Sequence, residues 1–212
     1  MIDKKIILVG GGGHCKSVID VAESAGYSIG GILDIPELVG STVLGYPVIG
    51  TDDNISDYVE DDLFVVTVGH IKDPSLRIKL HERIKSAGGH FATLVASTAR
   101  VSRFASIGEG SVVMHQAVIN ADAHVGAGCI INTFANIEHD AVIGDYCHIS
   151  TGAMVNGNCT VGKGVFLGSQ SVLVNGISIT DGCVFAAGSM IRKNIIRKGI
   201  YSGNPALLKI KL

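Results

Sequence analysis

The chain has 212 residues, with 17 Lys plus Arg against 19 Asp plus Glu, for a formal net charge of −2. That length supports a substantial core in one large or two small domains, and the near-neutral balance excludes a phosphate-neutralising surface, so no nucleic-acid partner is expected. Charged residues are only 17% of the chain, Trp is absent and Gly numbers 28, a composition suited to small side chains packed in repeated tight turns.

The first thirteen residues read "MIDKKIILVGGGG". Their apolar run is too short for a signal-peptide core and far too short to span a bilayer, and no other stretch approaches the length a spanning helix needs. A soluble cytoplasmic protein with no membrane insertion is expected. Five cysteines without a CxxC pair argue against a disulfide framework or a zinc site, and no metal is expected.

"KKIILVGGGGHCKSVIDVAESAGYSIGGILD" reads strand, glycine loop, helix, strand. Residues 4–9 are continuous apolar sequence, as in a buried parallel strand. Residues 15–25 carry Val18, Ile19, Val21, Ala22 and Ala25 at helical spacing, and Gly26 ends the helix. "LFVVTVGH" is a further strand and "DPSLRIKLHERIKSAG" a helix, with Asp73 as N-cap and Pro74 in its first turn. The alternation predicts a small α/β Rossmann-like domain over residues 1–93. Its glycine loop can present N–H groups to a phosphate. Asp34, 24 residues after Gly10, sits where such folds place a ribose-binding carboxylate. The fourth glycine of a dinucleotide fingerprint is missing, because residue 15 is Cys, and the domain has room for about half a dinucleotide fold. A nucleotide-linked ligand fits better than NAD; a glycine turn that merely permits tight packing is the alternative.

From Val95 a period of six begins. Val95, Val101, Ile107, Val113, Ile119 and every sixth residue to Ile191 are aliphatic apart from Phe185, seventeen positions in register. Four residues further along each hexad, fourteen of sixteen positions from Ala99 to Ser189 are Ala, Ser or Cys, including Cys129, Cys147, Cys159 and Cys183. One bulky and one small inward residue per six fit neither a helix nor an alternating strand. They fit a solenoid of short strands joined at tight corners, where Gly, Asn and Asp tolerate the backbone angles. The cysteines in the small slot are packing residues. Gly108, Gly126, Gly144, Gly162 and Gly168, which follow the aliphatic position, are assigned to the corners.

This pattern resembles the hexapeptide-repeat acyltransferases, which implies an all-β left-handed parallel β-helix of triangular coils over residues 94–212. Three hexads per coil give a little over five coils, a prism roughly 25 Å long at about 4.8 Å per layer. The left-handedness comes from the resemblance, since the usual crossover rule gives the opposite. Taken whole, a compact Rossmann-like domain opening "GGGGH" and followed by "NTFANIEHD" resembles the sugar acetyltransferases of the sialic-acid O-acetyltransferase type. The nearest branch is the bacterial N-acetyltransferases of UDP-linked 4-amino-sugars. The resemblance implies that Gly12, Gly13, His14, Asp34 and Ile35 meet a nucleotide-sugar, with Cys15 departing from a commoner glycine. It also implies a homotrimer with acetyl-CoA in the groove between prisms, shared active sites, and a tail, "YSGNPALLKIKL", that caps the β-helix.

"NTFANIEHDAVIGDYCHIS" contains His139 and His148, neither in an inward slot. An amine or hydroxyl attacking a thioester must lose a proton, and imidazole accepts one near neutral pH. His139, which the family uses, is the expected general base, and Asp140 its orienting partner. Neighbours on an extended chain point opposite ways, so that pairing requires a corner; many relatives carry Glu there. By the resemblance Asn132 is an active-site position that steadies the histidine or the sugar, and His148, Ser169 and Ala187 meet acetyl-CoA. Gly157 is the expected oxyanion N–H donor. Direct transfer without an acyl-enzyme is expected, so a Cys15–His14 nucleophile pair is set aside; His115 and His124 are unassigned. The alternatives are O-acetylation of a sialic acid or another sugar, and a non-catalytic nucleotide-binding solenoid. The first domain is too short, and lacks the basic glycine-rich opening, for a sugar nucleotidyltransferase.

Overall fold

The computed structural model describes residues 4–212. Its first part holds β1 (Ile6–Val9), α1 (Gly13–Ser24), β2 (Ile29–Leu33), β3 (Thr42–Val43), β4 (Tyr46–Gly50), β5 (Leu63–Val66), α2 (Ser75–Ser86) and β6 (His90–Phe91). They form one sheet of order β3-β4-β2-β1-β5-β6, parallel except for the β3–β4 hairpin. The residues of β1 are apolar on both faces because helices cover both. Ile6 and Leu8 pack with Val18, Ile19 and Ala22 of α1, and Ile7 and Val9 pack with Leu80 and Ile84 of α2. Strand order reverses at β1, so the carboxyl ends of β1, β2 and β5 open into one crevice.

Two helix starts differ from expectation. The first helix begins at Gly13 rather than residue 15, because Gly12 already takes the extended N-cap conformation. The N-cap of α2 is Pro74 rather than Asp73. The Asp73 carboxylate still accepts from Ser75 N–H at 2.9 Å and Ser75 Oγ–H at 2.8 Å, one position further out.

Beyond Phe91 the chain winds into a parallel β-helix. Seventeen two-residue strands, Leu94–Val95 through Met190–Ile191 among the described residues, each end on one of the aliphatic positions of the six-residue period. Residues 18 apart pair, as in Val113 with Ile131 and Ile131 with Ile149, so three hexads close one coil. The first face contains His148–Ile149, the second Asn136–Ile137 and the third Val142–Ile143. The interior is filled by the bulky series and by Ala117, Ala123, Cys129, Ala135, Ala141, Cys147, Ala153 and their successors. The thiols of Cys129, Cys147 and Cys159 donate to the carbonyls of Gly144, Gly162 and Val174 at 3.2, 3.0 and 3.0 Å. A hairpin of Gly199–Ser202 and Leu207–Lys211 closes the far end, with Tyr201 stacked on Phe185.

Ten of the fourteen corner positions carry the expected Gly, Asn or Asp, but four carry other residues. Every sixth residue from 110 to 188 is left-handed, and the series includes Gln116, Phe134, Tyr146 and Gln170 beside Asp122, Asp140, Asn158 and seven glycines. Gly108, Gly126, Gly144, Gly162 and Gly168 do not belong to it. They are small because the next coil passes directly over them: a Cβ on Gly144 would lie 2.8 Å from Lys163 N and 2.9 Å from Gly162 C.

The two parts share one apolar joint, in which Leu94, Ala96, Val112 and Met114 of the β-helix join the α1 side of the sheet. Beside it lies Arg77, fully buried. Its guanidinium donates to Val66 O at 2.6 Å and Val68 O at 3.0 Å on one side, and to Gly128 O at 2.8 Å on the other.

The two kinds of glycine separate on substitution. Gly144→Ala forces backbone against backbone and is expected to lower stability by about 2–3 kcal/mol. Gly176→Asn, at φ 70° with no atom within 4 Å of its Cβ, is expected to cost less than about 0.5 kcal/mol. Urea unfolding followed by circular dichroism checks both.

Candidate active site

The crevice at the carboxyl ends of β1, β2 and β5 is built from short loops. After β1, Gly11 N–H donates to Asp34 Oδ2, while Asp34 Oδ1 accepts from Ile35 N–H at 2.7 Å. A Cβ on Gly11 would strike that carboxylate, but Gly12 and Gly13 have nothing within 4 Å of where a Cβ would stand. These two are exposed at the N-terminus of α1, which carries no side-chain cap and no acidic residue in its first turn. The arrangement leaves N–H groups and open space where an anion is favoured. Asp34 and the exposed Ile35 border a cavity of about 190 Å³ lined further by Val9, Leu33, Leu76 and Asp52. A larger open cavity of about 670 Å³, between the start of α2 and the Lys163 corner, contains none of the expected site residues.

Cys15 is buried, and burial pushes its thiol up to about 11, assisted by the charge of Asp34, so it is no nucleophile. His14 packs across Gly69 in the loop after β5. Next in that loop is His70, which the sequence reading missed although a Gly-His pair directly after a parallel strand marks the crevice edge. His148 approaches from the first face of the β-helix, its ring centroid 6.4 Å from His14 and 5.7 Å from His70. Asn132 Oδ1 accepts from Thr133 N–H at 2.8 Å, which orients the amide, and its Nδ2 lies 3.2 Å from His148 Nε2. His148 Nδ1 lies 2.8 Å from His70 O. A carbonyl only accepts and an amide nitrogen only donates, so the assigned tautomer is neutral with the proton on Nδ1. His148 thus uses both nitrogens, Nδ1 towards His70 of the first part and Nε2 towards Asn132 within the β-helix, and it is the His148 ring rather than that of His139 that the Asn132 amide meets.

Burial is the main reason these rings are poor bases. It lowers His14 and His70 to about 3 and His148 to about 4, with the Arg77 charge adding to each. His81, stacked on Phe91, is lowered to about 3 for the same reasons.

His139 is different. It sits at the corner between the second and third faces, and Asp140 is the left-handed residue of that corner, φ 59°. The turn brings its carboxylate beside the preceding imidazole, with Nδ1 to Oδ2 at 2.6 Å. That hydrogen bond raises the His139 pKa, with Asp140 and Glu138 charges adding to it. Nδ1 is occupied and Nε2 is not. The ring lies against Gly157 of the next coil, where a Cβ would be 2.7 Å from Cε1 and Nε2. The Gly157 N–H donates to no group among the described residues.

Within the β-helix, the expected residues other than His148 therefore occupy two corners of the triangle. His139, Asp140 and Gly157 share one. Asn132, Ser169 and Ala187 share the corner after the first face, where Thr133, Thr151, Ser169 and Ala187 recur every 18 residues. Ser169 Oγ is 3.1 Å from Ser150 Oγ. His115 and His124 are held locally, by Thr98 at 2.8 Å and Ser106 at 2.7 Å. Arg77 was also missed; its spacing with Leu80 and Ile84 on the buried side of α2 was the available signal.

A nucleotide-type crevice docked on a hexapeptide β-helix defines an acyltransferase of the hexapeptide class. Residues 5–84 match the model of the PglD N-terminal domain, and residues 122–157 and 158–193 match that of the bacterial transferase hexapeptide (six repeats). The perosamine N-acetyltransferase of Caulobacter crescentus, solved with CoA and GDP-perosamine, is 31% identical with TM-score 0.90, over 97% of each chain. The acetyltransferase domain of PglB from Neisseria gonorrhoeae, solved with acetyl coenzyme A, is 31% identical with TM-score 0.90, over 98% of this chain and 100% of that one. An uncharacterised protein of Acanthamoeba polyphaga mimivirus is 30% identical over 121 residues, 57% of this chain, and the match spans 23% of that protein's length. The chain belongs to the hexapeptide-repeat sugar acetyltransferase family.

No helix of the described residues is long and apolar enough to cross a membrane. The neutral histidines make stability pH-dependent. Their folded values are depressed, so their contribution is complete above the ordinary 6.5 and is lost as pH falls from there towards 3. Each is expected to add a slope of up to about 1.4 kcal/mol per pH unit below 6.5. Urea midpoints at pH 7, 6 and 5 should fall steadily; a flat profile would mean that these rings are already protonated in the fold.

Proposed function

We propose that the protein transfers the acetyl group of acetyl-CoA directly to the amine of a nucleotide-linked amino-sugar. The observation that carries the mechanism is the His139–Asp140 pair, with Nδ1 bound to the carboxylate and Nε2 free above Gly157. As the amine nitrogen bonds to the thioester carbonyl carbon, His139 Nε2 accepts the ammonium proton. Asp140 holds the ring and stabilises the imidazolium. The Gly157 N–H stabilises the oxyanion. The C–S bond then breaks, and the thiolate leaves to take a proton, returning His139 to its neutral form. Two relatives of the same fold support the substrates: one was solved with CoA and GDP-perosamine, the other with acetyl coenzyme A.

The nucleotide end of the acceptor lies at Gly12, Gly13 and His14, with Asp34 and Ile35 at the neighbouring cavity, while the acetyl donor runs along Ser169 and Ala187. These positions and the base sit on different corners of one protomer, so the site is completed by a neighbouring copy. The assembly is a homotrimer in which the His139 corner of one prism faces the Asn132 corner of the next, and the protein works in the cytoplasm. The unit docked on the β-helix, residues 1–93, is the acceptor-binding domain, and residues 94–212 carry the donor and the base.

Free CoA, followed with a thiol reagent, tests the activity with GDP-perosamine and with a UDP-linked 4-amino-sugar as acceptors. An O-acetylated product, or release only with a free sialic acid, would replace the N-acetyl reading. His139→Ala is expected to lower kcat by about 10²- to 10⁴-fold. The base works deprotonated, so kcat/KM should rise with pH through the raised His139 pKa. Asp140→Asn removes the main cause of that rise and should move the acid limb to lower pH. An unchanged kcat in H139A would show that His139 is not the base.

A further inference from the structure

We propose that Phe134 is the platform against which the ring of the acceptor amino-sugar lies, a role that rests on the acetyl-transfer reading above. Phe134 is the left-handed corner residue of its hexad, φ 60°, and is 58% exposed. The same position on the coils to either side holds Gln116 and Gly152, then Gln170 and Gly188. A bulky aromatic is a poor occupant of left-handed backbone, which Gly adopts freely. The corner therefore gains nothing locally from this ring.

The other aromatic at such a corner, Tyr146, is explained by its packing. Its ring covers Gly128, meets His81 edge-on at 5.3 Å and lies under Lys163 Nζ at 5.3 Å. Phe134 has no ring or cation partner of that kind among the described residues. A strained, exposed aromatic with no intramolecular use points to something outside the chain.

Its place says what that is. Phe134 is two residues from Asn132, whose amide meets His148, which in turn is bonded to His70 at the nucleotide crevice. The coil that carries Phe134 is thus one of those tied to the acceptor-binding domain, through Gly128 to Arg77 and through Asn132 to His148. Ser169 and Ala187, proposed for the acetyl donor, lie two and three coils further along the same corner. Next below Phe134 is Gly152, with no side chain to fill the space beside the ring. A pyranose turns a row of C–H bonds to one side, and their partial positive charge suits the negative face of an aromatic ring. Such contact orients the sugar without reading the nucleotide.

Phe134→Gln and Phe134→Gly test this. Gln is native to the same conformation at 116 and 170, so F134Q keeps the fold. Steady-state kinetics with GDP-perosamine and with a UDP-linked 4-amino-sugar should show the acceptor KM rising about tenfold in both variants, with the acetyl-CoA KM unchanged and F134Y within about threefold of wild type. F134G should melt at or above the wild-type temperature, because its backbone is relieved. Sedimentation should be unaltered. An unchanged acceptor KM, a rise in the acetyl-CoA KM instead, or an assembly that dissociates in F134Q overturns the proposal while leaving the acetyl-transfer reading intact. A wild-type protein that turns over neither acceptor removes that reading, and this one with it.

Discussion

From residue 110 to 188 the chain turns a corner every six residues by placing one residue of each hexad in left-handed backbone, mostly with a small side chain in the interior slot. Most of the chemistry in this molecule follows from that constraint. On an extended strand the side chains of His139 and Asp140 would point to opposite faces. With Asp140 left-handed, they meet at 2.6 Å. The imidazole then lies flat against the next coil, which is possible because residue 157 is glycine. An acid–base pair and an unused backbone N–H are thus produced by the winding itself, without any loop.

A second constraint joins the two parts. Arg77 places a charge in the joint with only neutral carbonyls around it. A buried cation without a carboxylate partner is costly to hold, and it remains charged even though burial lowers its pKa to about 10. In return it ties the end of β5 to the Gly128 corner. The same charge discourages protonation of His14, His70 and His148. Those rings therefore act as neutral hydrogen-bonding and packing groups. The exposed His139, next to a carboxylate and away from Arg77, has its pKa moved the other way.

This separation gives the histidines of one chain distinct tasks. Rings near the joint pack and bond between the β5 crevice and the first face, and the ring at the far corner keeps Nε2 without a partner among the described residues. In the proposed trimer, the corner carrying the base belongs to one protomer and the crevice to its neighbour. Activity would then depend on assembly even though every candidate group is already positioned within its own chain.

The sequence by itself determined the winding. The aliphatic residue every six, from Val95 to Ile191, ends every strand of the coil, and the small slot is inward where it was expected. The period could be read because each hexad meets the same local demand for volume. His139 with Asp140 was legible for the same reason, since neighbours in sequence need only a corner to meet. What depended on distant packing was not legible. The glycines after the aliphatic positions looked like turn residues, yet the coil 18 residues away dictates them. His70, Arg77 and the contact of Asn132 with His148 were missed, because their partners lie 78, 51 and 16 residues away. Only the tertiary structure brings those groups within hydrogen-bonding distance, and a one-dimensional pattern carries no information about an interaction that occurs once.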